Sequence, residues 1–109
     1  MEIAVIVMKI WLDDERKEPE GWLRAKTAWE MISLLNIHSV EEISLDHDLG
    51  DDKDFGTGLD VLKWIEEAVH TSNFTAPKIK IHSMNPVGRK NMLDCLSAIE
   101  RFSAQKEEL

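Results

Sequence analysis

Apolar residues along this chain fall into short blocks separated by acidic or proline- and glycine-bearing stretches. Ile3 to Leu12 is an apolar, largely β-branched run broken by Lys9, the pattern of a strand buried on both faces. It ends in Asp13 and Asp14. Glu15 to Gly21 is polar and contains Pro19, which predicts a loop where a crossover helix would otherwise stand. Trp22 to Lys26 alternates Leu23 and Ala25 with Arg24 and Lys26, as a short edge strand does. Thr27 and Glu30 have capping-box spacing and lead into Ala28, Met31, Ile32 and Leu35. A helix from Thr27 to about Asn36 is expected.

The same reading continues through the second half. Glu42 to Asp46 predicts another short strand, and the Asp- and Gly-rich residues 46–54 a loop. Thr57 and Asp60 repeat the capping pattern. Leu59, Leu62, Ile65, Ala68 and Val69 then trace one helical face to about Thr71, with Lys63, Glu66, Glu67 and His70 mostly opposite. Lys78 to His82 alternates charged and apolar residues, a fourth strand. Asn85-Pro86 supplies an N-cap and a proline at the first position of a last helix, which carries Met92, Leu93, Leu96, Ile99 and Phe102. The order β-loop-β-α-β-α-β-α predicts an α/β fold: an open, mostly parallel sheet of about four strands, flanked by helices and joined by right-handed crossovers.

Composition bounds what such a sheet can do. A length of 109 residues fits a single domain over 1–109, and 43% hydrophobic residues suffice for a core without staples. One cysteine, Cys95, excludes an internal disulfide framework and predicts a reducing, cytoplasmic setting. The Ile3–Leu12 run is about half the ~20 residues a membrane span needs. It has neither a basic leader nor a small-residue cleavage site, so no signal peptide is expected, and Met8 offers a second start. With 13 Lys and Arg against 21 Asp and Glu, the net charge of −8 disfavours long DNA and anionic lipid. Trp11, Trp29 and Trp64 are expected in the core or over helix faces, Trp22 against the loop, and Cys95 as a small buried hydrophobe.

In open α/β sheets, ligands lie beyond the carboxyl ends of the strands, and three of the four predicted strands end in polar residues. Asp13, Asp14, Glu15 and Arg16 follow the first; Asp46, His47 and Asp48 follow the third; His82, Ser83 and Asn85 follow the fourth. Carboxylates from separate strands repel unless a cation lies among them, which makes Asp13, Asp14, Asp46 and Asp48 candidate ligands of Mg²⁺ or Mn²⁺. Solvated loop acids produce the same pattern, and spacing alone serves both readings. A strand-end histidine is ordinarily unremarkable by itself. His47 and His82, however, end strands consecutive in sequence, so two imidazoles near one site can divide acid and base roles. At the start of the last helix, Ser83, Asn85, free N–H groups and Arg89 are candidates to hold a phosphate, although Asn85-Pro86 also serves simply as a helix start.

Four segments carry a family resemblance: Trp11-Leu-Asp-Asp-Glu-Arg16, Pro19-Glu-Gly-Trp22, Ile43-Ser-Leu-Asp-His-Asp-Leu-Gly50 and Ile81-His-Ser-Met-Asn-Pro-Val-Gly-Arg89-Lys-Asn-Met92. Together they resemble the cyclic-phosphate-processing receiver-like domains of bacteria and their phages, over nearly the whole chain from Lys9. The resemblance implies a receiver-like (flavodoxin-like) fold and a role on cyclic phosphates of nucleotides or RNA ends. By the same resemblance, Asp13 and Asp14 match the acidic pair that holds Mg²⁺ in receivers. Asp46 matches the strand-end phosphoacceptor, and Ser83 the residue that contacts phosphoryl oxygens. The chain departs from ordinary receivers in lacking the first crossover helix, the fifth strand and the lysine that ends it. That lysine's absence speaks against phosphorelay signalling, while His47, His82 and Arg89 speak for phosphoester chemistry.

The leading expectation is a metal-dependent phosphoesterase acting on a cyclic-phosphate nucleotide or RNA terminus. Asp13, Asp14, Asp46 and Asp48 would hold the metal, His47 and His82 move protons, Ser83, Asn85 and Arg89 clamp the phosphate, and Asp46 is alternatively a nucleophile. A noncatalytic receiver-type module phosphorylated on Asp46, or a protein-binding adaptor, are the alternatives.

Overall fold

The structure, a computed structural model, describes residues 7–107. Its elements in chain order are β1 (Lys9–Leu12), β2 (Leu23–Ala25), α1 (Ala28–Ile37), β3 (Glu42–Leu45), α2 (Asp52–Phe55), α3 (Gly58–Thr71), β4 (Lys78–Ile81) and α4 (Pro86–Glu107). The sheet is wholly parallel, in the order β2-β1-β3-β4. This is the receiver-like α/β architecture expected, with a loop in place of the first crossover helix. Residues 3–6 of the expected first strand lie outside the described residues.

Register assigns the two faces of the sheet. Ile10 aligns with Leu23 and Ile43, and Leu12 with Ala25 and Leu45; Ile43 and Leu45 align in turn with Ile79 and Ile81. Most of these apolar side chains join one cluster with Met31 and Leu35 of α1, Val61, Leu62 and Ile65 of α3, and Met92 and Ile99 of α4. The alternate positions, Lys9, Trp11, Arg24, Glu42, Ser44, Lys78 and Lys80, stand on the opposite face, and none belongs to that core. The topology accounts for this asymmetry. Going from β2 to β3 and from β3 to β4, the chain steps in the same direction across the sheet, so crossovers of one hand place their helices on the same face. A β1–β2 crossover helix would have covered the other.

Several local expectations are corrected. Central β3 is buried at every position, whereas β1 is buried only at alternate ones, because Lys9 and Trp11 point away from the core. The expected loop after Asp46 contains the one-turn helix α2, started by the Asp51 carboxylate, which accepts from the N–H groups of Lys53 and Asp54. Thr57 and Asp60 form a complete capping box at α3, but at α1 Thr27 accepts from Glu30 N–H without the reciprocal bond being present. Trp29 is 48% exposed, its indole N–H donating to the Asp54 carbonyl, and Leu93 is 42% exposed. Cys95 is half-buried rather than buried. Burial raises its thiol pKa, so it is not an activated nucleophile.

The carboxyl end of the sheet depends on a close approach between helix and strand end. A methyl group on Gly58 would lie 2.1 Å from the Asp46 carbonyl oxygen and 2.6 Å from the Met92 terminal methyl. Only a residue without Cβ lets α3 start here. Gly58→Ala is therefore expected to destabilise the protein by about 1–3 kcal/mol or more, measured by urea denaturation; an unchanged midpoint would contradict this packing.

Candidate functional site

The parallel ladder continues one residue beyond each strand, and this extra row builds the site. Asp46 N–H donates to the Leu12 carbonyl (3.0 Å) and His82 N–H to the Leu45 carbonyl (3.0 Å). Asp13 N–H donates to the Ala25 carbonyl, also at 3.0 Å. Since Leu12, Leu45 and Ile81 are already in register, Asp13, Asp46 and His82 form the next row. One donor atom from each lies within 4.8 Å of the others.

Asp13 is 1% exposed. Its Oδ1 accepts from the N–H groups of Glu15 (2.9 Å) and Arg16 (2.8 Å), and its Oδ2 lies 3.1 Å from His82 Nε2. Burial alone would raise the pKa of this carboxyl, but those two N–H groups and His82 outweigh it, so the pKa is lowered and Asp13 is anionic. Asp46 shifts the other way. Burial and the negative charge of Asp13 raise its pKa, against a single 2.8 Å bond from His47 N–H. Burial lowers the His82 pKa despite the opposing pull of Asp13, leaving a neutral imidazole at pH 7. That ring stacks on Trp11 with centroids 3.7 Å apart and planes 4° from parallel, and its Nδ1 is 2.7 Å from Ser44 Oγ.

Beside this row lies a depression of about 290 Å³ whose walls include Asp13, Asp14, Asp46, Asp48, Arg16 and Asn85. A wider, open hollow beside Asp94 and Arg101 on α4 gathers no comparable donors. Asn85 connects the next group of residues. Its Oδ1 accepts from the N–H groups of Val87 and Gly88 (both 3.1 Å), and its Nδ2 donates to Asp48 Oδ2 (3.2 Å). Asp48 Oδ1 lies 2.8 Å from His47 Nδ1, and these bonds lower the Asp48 pKa. The His47 ring rests against α4, where a methyl on Gly88 would come within 2.5 Å of it.

The candidate residues thus separate into groups. Asp13, Asp46 and His82 come together; Asp14, Asp48 and Asn85 line the depression, and His47 is bonded to Asp48 and packed against α4. Ser83 is 5% exposed, and its Oγ accepts from Asn85 N–H (3.1 Å). The first N–H groups of α4, expected to be free for phosphate, are taken by Asn85. Arg89 is exposed, with Nη1 donating to the Ile81 carbonyl (3.1 Å). Two contributors were missed. Ser44, a polar residue in the middle of a buried strand, was a signal in its own right, whereas Trp11 gave none beyond its bulk.

The donor set fits a divalent cation: one lowered carboxylate, one carboxyl raised by burial and by its neighbour's charge, and a neutral imidazole, from three adjacent strand ends. A cation would relieve the repulsion that raises Asp46. With this geometry established, comparison with known proteins is informative. The model of the family described as the cyclic-phosphate processing receiver domain matches residues 8–98. The chain belongs to that family. No curated protein and no solved structure matches the chain. This receiver domain has no helix, among its described residues, long and apolar enough to cross a membrane.

The raised Asp46 carries a stability consequence. Its folded pKa lies above its unfolded one, so the ionised carboxylate opposes folding above the folded value, and the penalty fades as pH falls toward the ordinary 3.8. Asp46→Asn, which keeps an oxygen for His47 N–H, should therefore raise the Tm of EDTA-treated protein at pH 7 by a few degrees. The gain should shrink as the pH is lowered. A lower Tm at pH 7 would show that Asp46 contributes to the fold rather than straining it.

Proposed function

We propose that this receiver domain opens cyclic phosphates of nucleotides or RNA ends in a reaction assisted by a divalent metal, Mg²⁺ or Mn²⁺. The observation that carries the reading is the Asp13–Asp46–His82 cluster at three strand ends, in a family linked to cyclic-phosphate processing. A metal ion held by Asp13 and Asp46 would supply charge neutralisation at a phosphoryl oxygen and electrostatic activation of the attacking water. Asp13 and Asp46 hold it, and Asp14 adds negative charge to the wall of the depression.

Asp48 orients His47 through Nδ1, which leaves Nε2 to take and return a proton. In the overall reaction, a water oxygen adds to phosphorus and one ring P–O bond breaks. His47 takes the water's proton and returns it to the departing oxygen, so that the imidazole ends as it began. Asn85 holds Asp48 in place, and Arg16, in the wall of the depression, supplies guanidinium N–H groups to the phosphate, Arg89 being engaged by the Ile81 carbonyl. A local cation site and one arginine allow a small phosphate to bind despite the net charge of −8.

Purified protein incubated with 2′,3′-cyclic nucleotides and cyclic-ended RNA should show turnover that requires Mg²⁺ or Mn²⁺ and stops with EDTA. Asp13→Asn should abolish it, and His47→Ala should slow it by about 100-fold or more. Absence of turnover on every substrate with either ion would sink the reading. A noncatalytic receiver module is the second reading, favoured by Asp46, which lines the depression just beyond the end of β3. It predicts a stable phosphoryl adduct after treatment with an acyl phosphate, detected by mass and lost in Asp46→Asn.

A further inference from the structure

We infer that His82 is itself a ligand of this metal site, through Nε2, and that Ser44 positions it by accommodating either imidazole tautomer, so that the site favours a first-row transition ion over Mg²⁺. The inference rests on the metal-assisted reading above and specifies the ion. Carboxylate oxygens such as those of Asp13 and Asp46 suit Mg²⁺ and Mn²⁺ alike. An imidazole nitrogen separates them, because Mg²⁺ keeps oxygen ligands and water, whereas transition ions such as Mn²⁺, Fe²⁺ and Zn²⁺ accept nitrogen. His82 Nε2 lies 3.1 Å from Asp13 Oδ2. Neighbouring ligands around an ion with bonds of about 2.1 Å stand roughly 3 Å apart. The distance already matches shared coordination.

Coordination through Nε2 requires the ring proton on Nδ1, and the partner at Nδ1 is Ser44 Oγ at 2.7 Å. Ser44 is 4% exposed. A hydroxyl both donates and accepts. Without an ion, Nε2–H donates to Asp13 and the Ser44 hydroxyl donates to Nδ1. With an ion on Nε2, the proton sits on Nδ1 and the hydroxyl turns to accept it. The imidazole carries one proton in both states, so only its position changes. The parallel stack on Trp11 fixes the ring plane throughout. A partner of this kind orients a metal-bound histidine, and a serine does so without adding another carboxylate to an already acidic rim.

The test is calorimetric titration of the EDTA-treated full chain with MgCl₂, MnCl₂ and ZnCl₂, together with imidazole ¹H–¹⁵N spectra. Mn²⁺ and Zn²⁺ should bind at least about tenfold more tightly than Mg²⁺. His82→Gln, which offers an oxygen at similar reach, should remove that preference while leaving Mg²⁺ affinity within a few-fold. Ser44→Ala should weaken Zn²⁺ binding by about 10–100-fold, with Ser44→Thr restoring it. In the unaltered protein, which depends on no variant folding, the His82 ring proton should move from Nε2 to Nδ1 on Zn²⁺ addition. Equal affinities for the three ions that His82→Gln leaves unchanged would overturn the inference yet leave a metal site of oxygens. A ring proton that stays on Nε2 would overturn it as well. If no ion binds, both the inference and the metal-assisted reading fail.

Discussion

Asp13 and Asp46 end adjacent strands whose register forces their carboxylates into one row. Their mutual repulsion is the constraint to which the surrounding structure responds. Asp13 is stabilised as an anion by two N–H groups of the turn that leaves β1 and by His82. Asp46 receives one N–H group and bears the strain. Like charges this close, one of them buried, are costly in a structural role, and the cluster is one that could hold a cation to offset that cost.

The supporting parts follow from the same geometry. Ser44 precedes Asp46 by two residues and Trp11 precedes Asp13 by two, so alternation along a strand places both on the face that carries the carboxylates. His82 closes the row from β4, lying flat on Trp11 and against Ser44. This is the sheet face that the missing β1–β2 helix leaves uncovered. The short loop after β1 folds back, with the Trp11 indole N–H donating to the Arg16 carbonyl and Trp22 set edge-on to Trp11 at 6.1 Å. The aromatic-backed imidazole therefore lies on the face that a helix between β1 and β2 would otherwise cover.

Much of the fold was legible. Caps at Thr27 and Thr57, Pro86 at a helix start, and alternation in Lys78–Ile81 are local signals whose physics operates within a few residues. The expectations that failed depended on distant partners. Trp29 and Leu93, apolar residues on helices, are left 48% and 42% exposed, Trp29 turned to the Asp54 carbonyl rather than to the core. The α2 turn in the Asp-rich segment arose from a single side-chain cap too short to leave a periodic trace. The candidate site was legible as a list of residue types at strand ends. Its grouping was not: Asp14 and Asp48 looked equivalent to Asp13 and Asp46, and His82 looked like a partner of His47.

By itself the sequence determined the strands and helices, the polar character of three strand ends and membership of a receiver family, because each is encoded within a short window. Tertiary structure decided which side chains share one cluster. Strand register is a long-range choice, and alternation then dictates that Asp13, Asp46 and His82 meet while His47 turns to Asp48 and α4. It also decided which way each carboxyl pKa moves, which no residue type carries alone: burial and the charges of Asp13 and Asp48 raise Asp46, while two N–H groups and His82 lower Asp13.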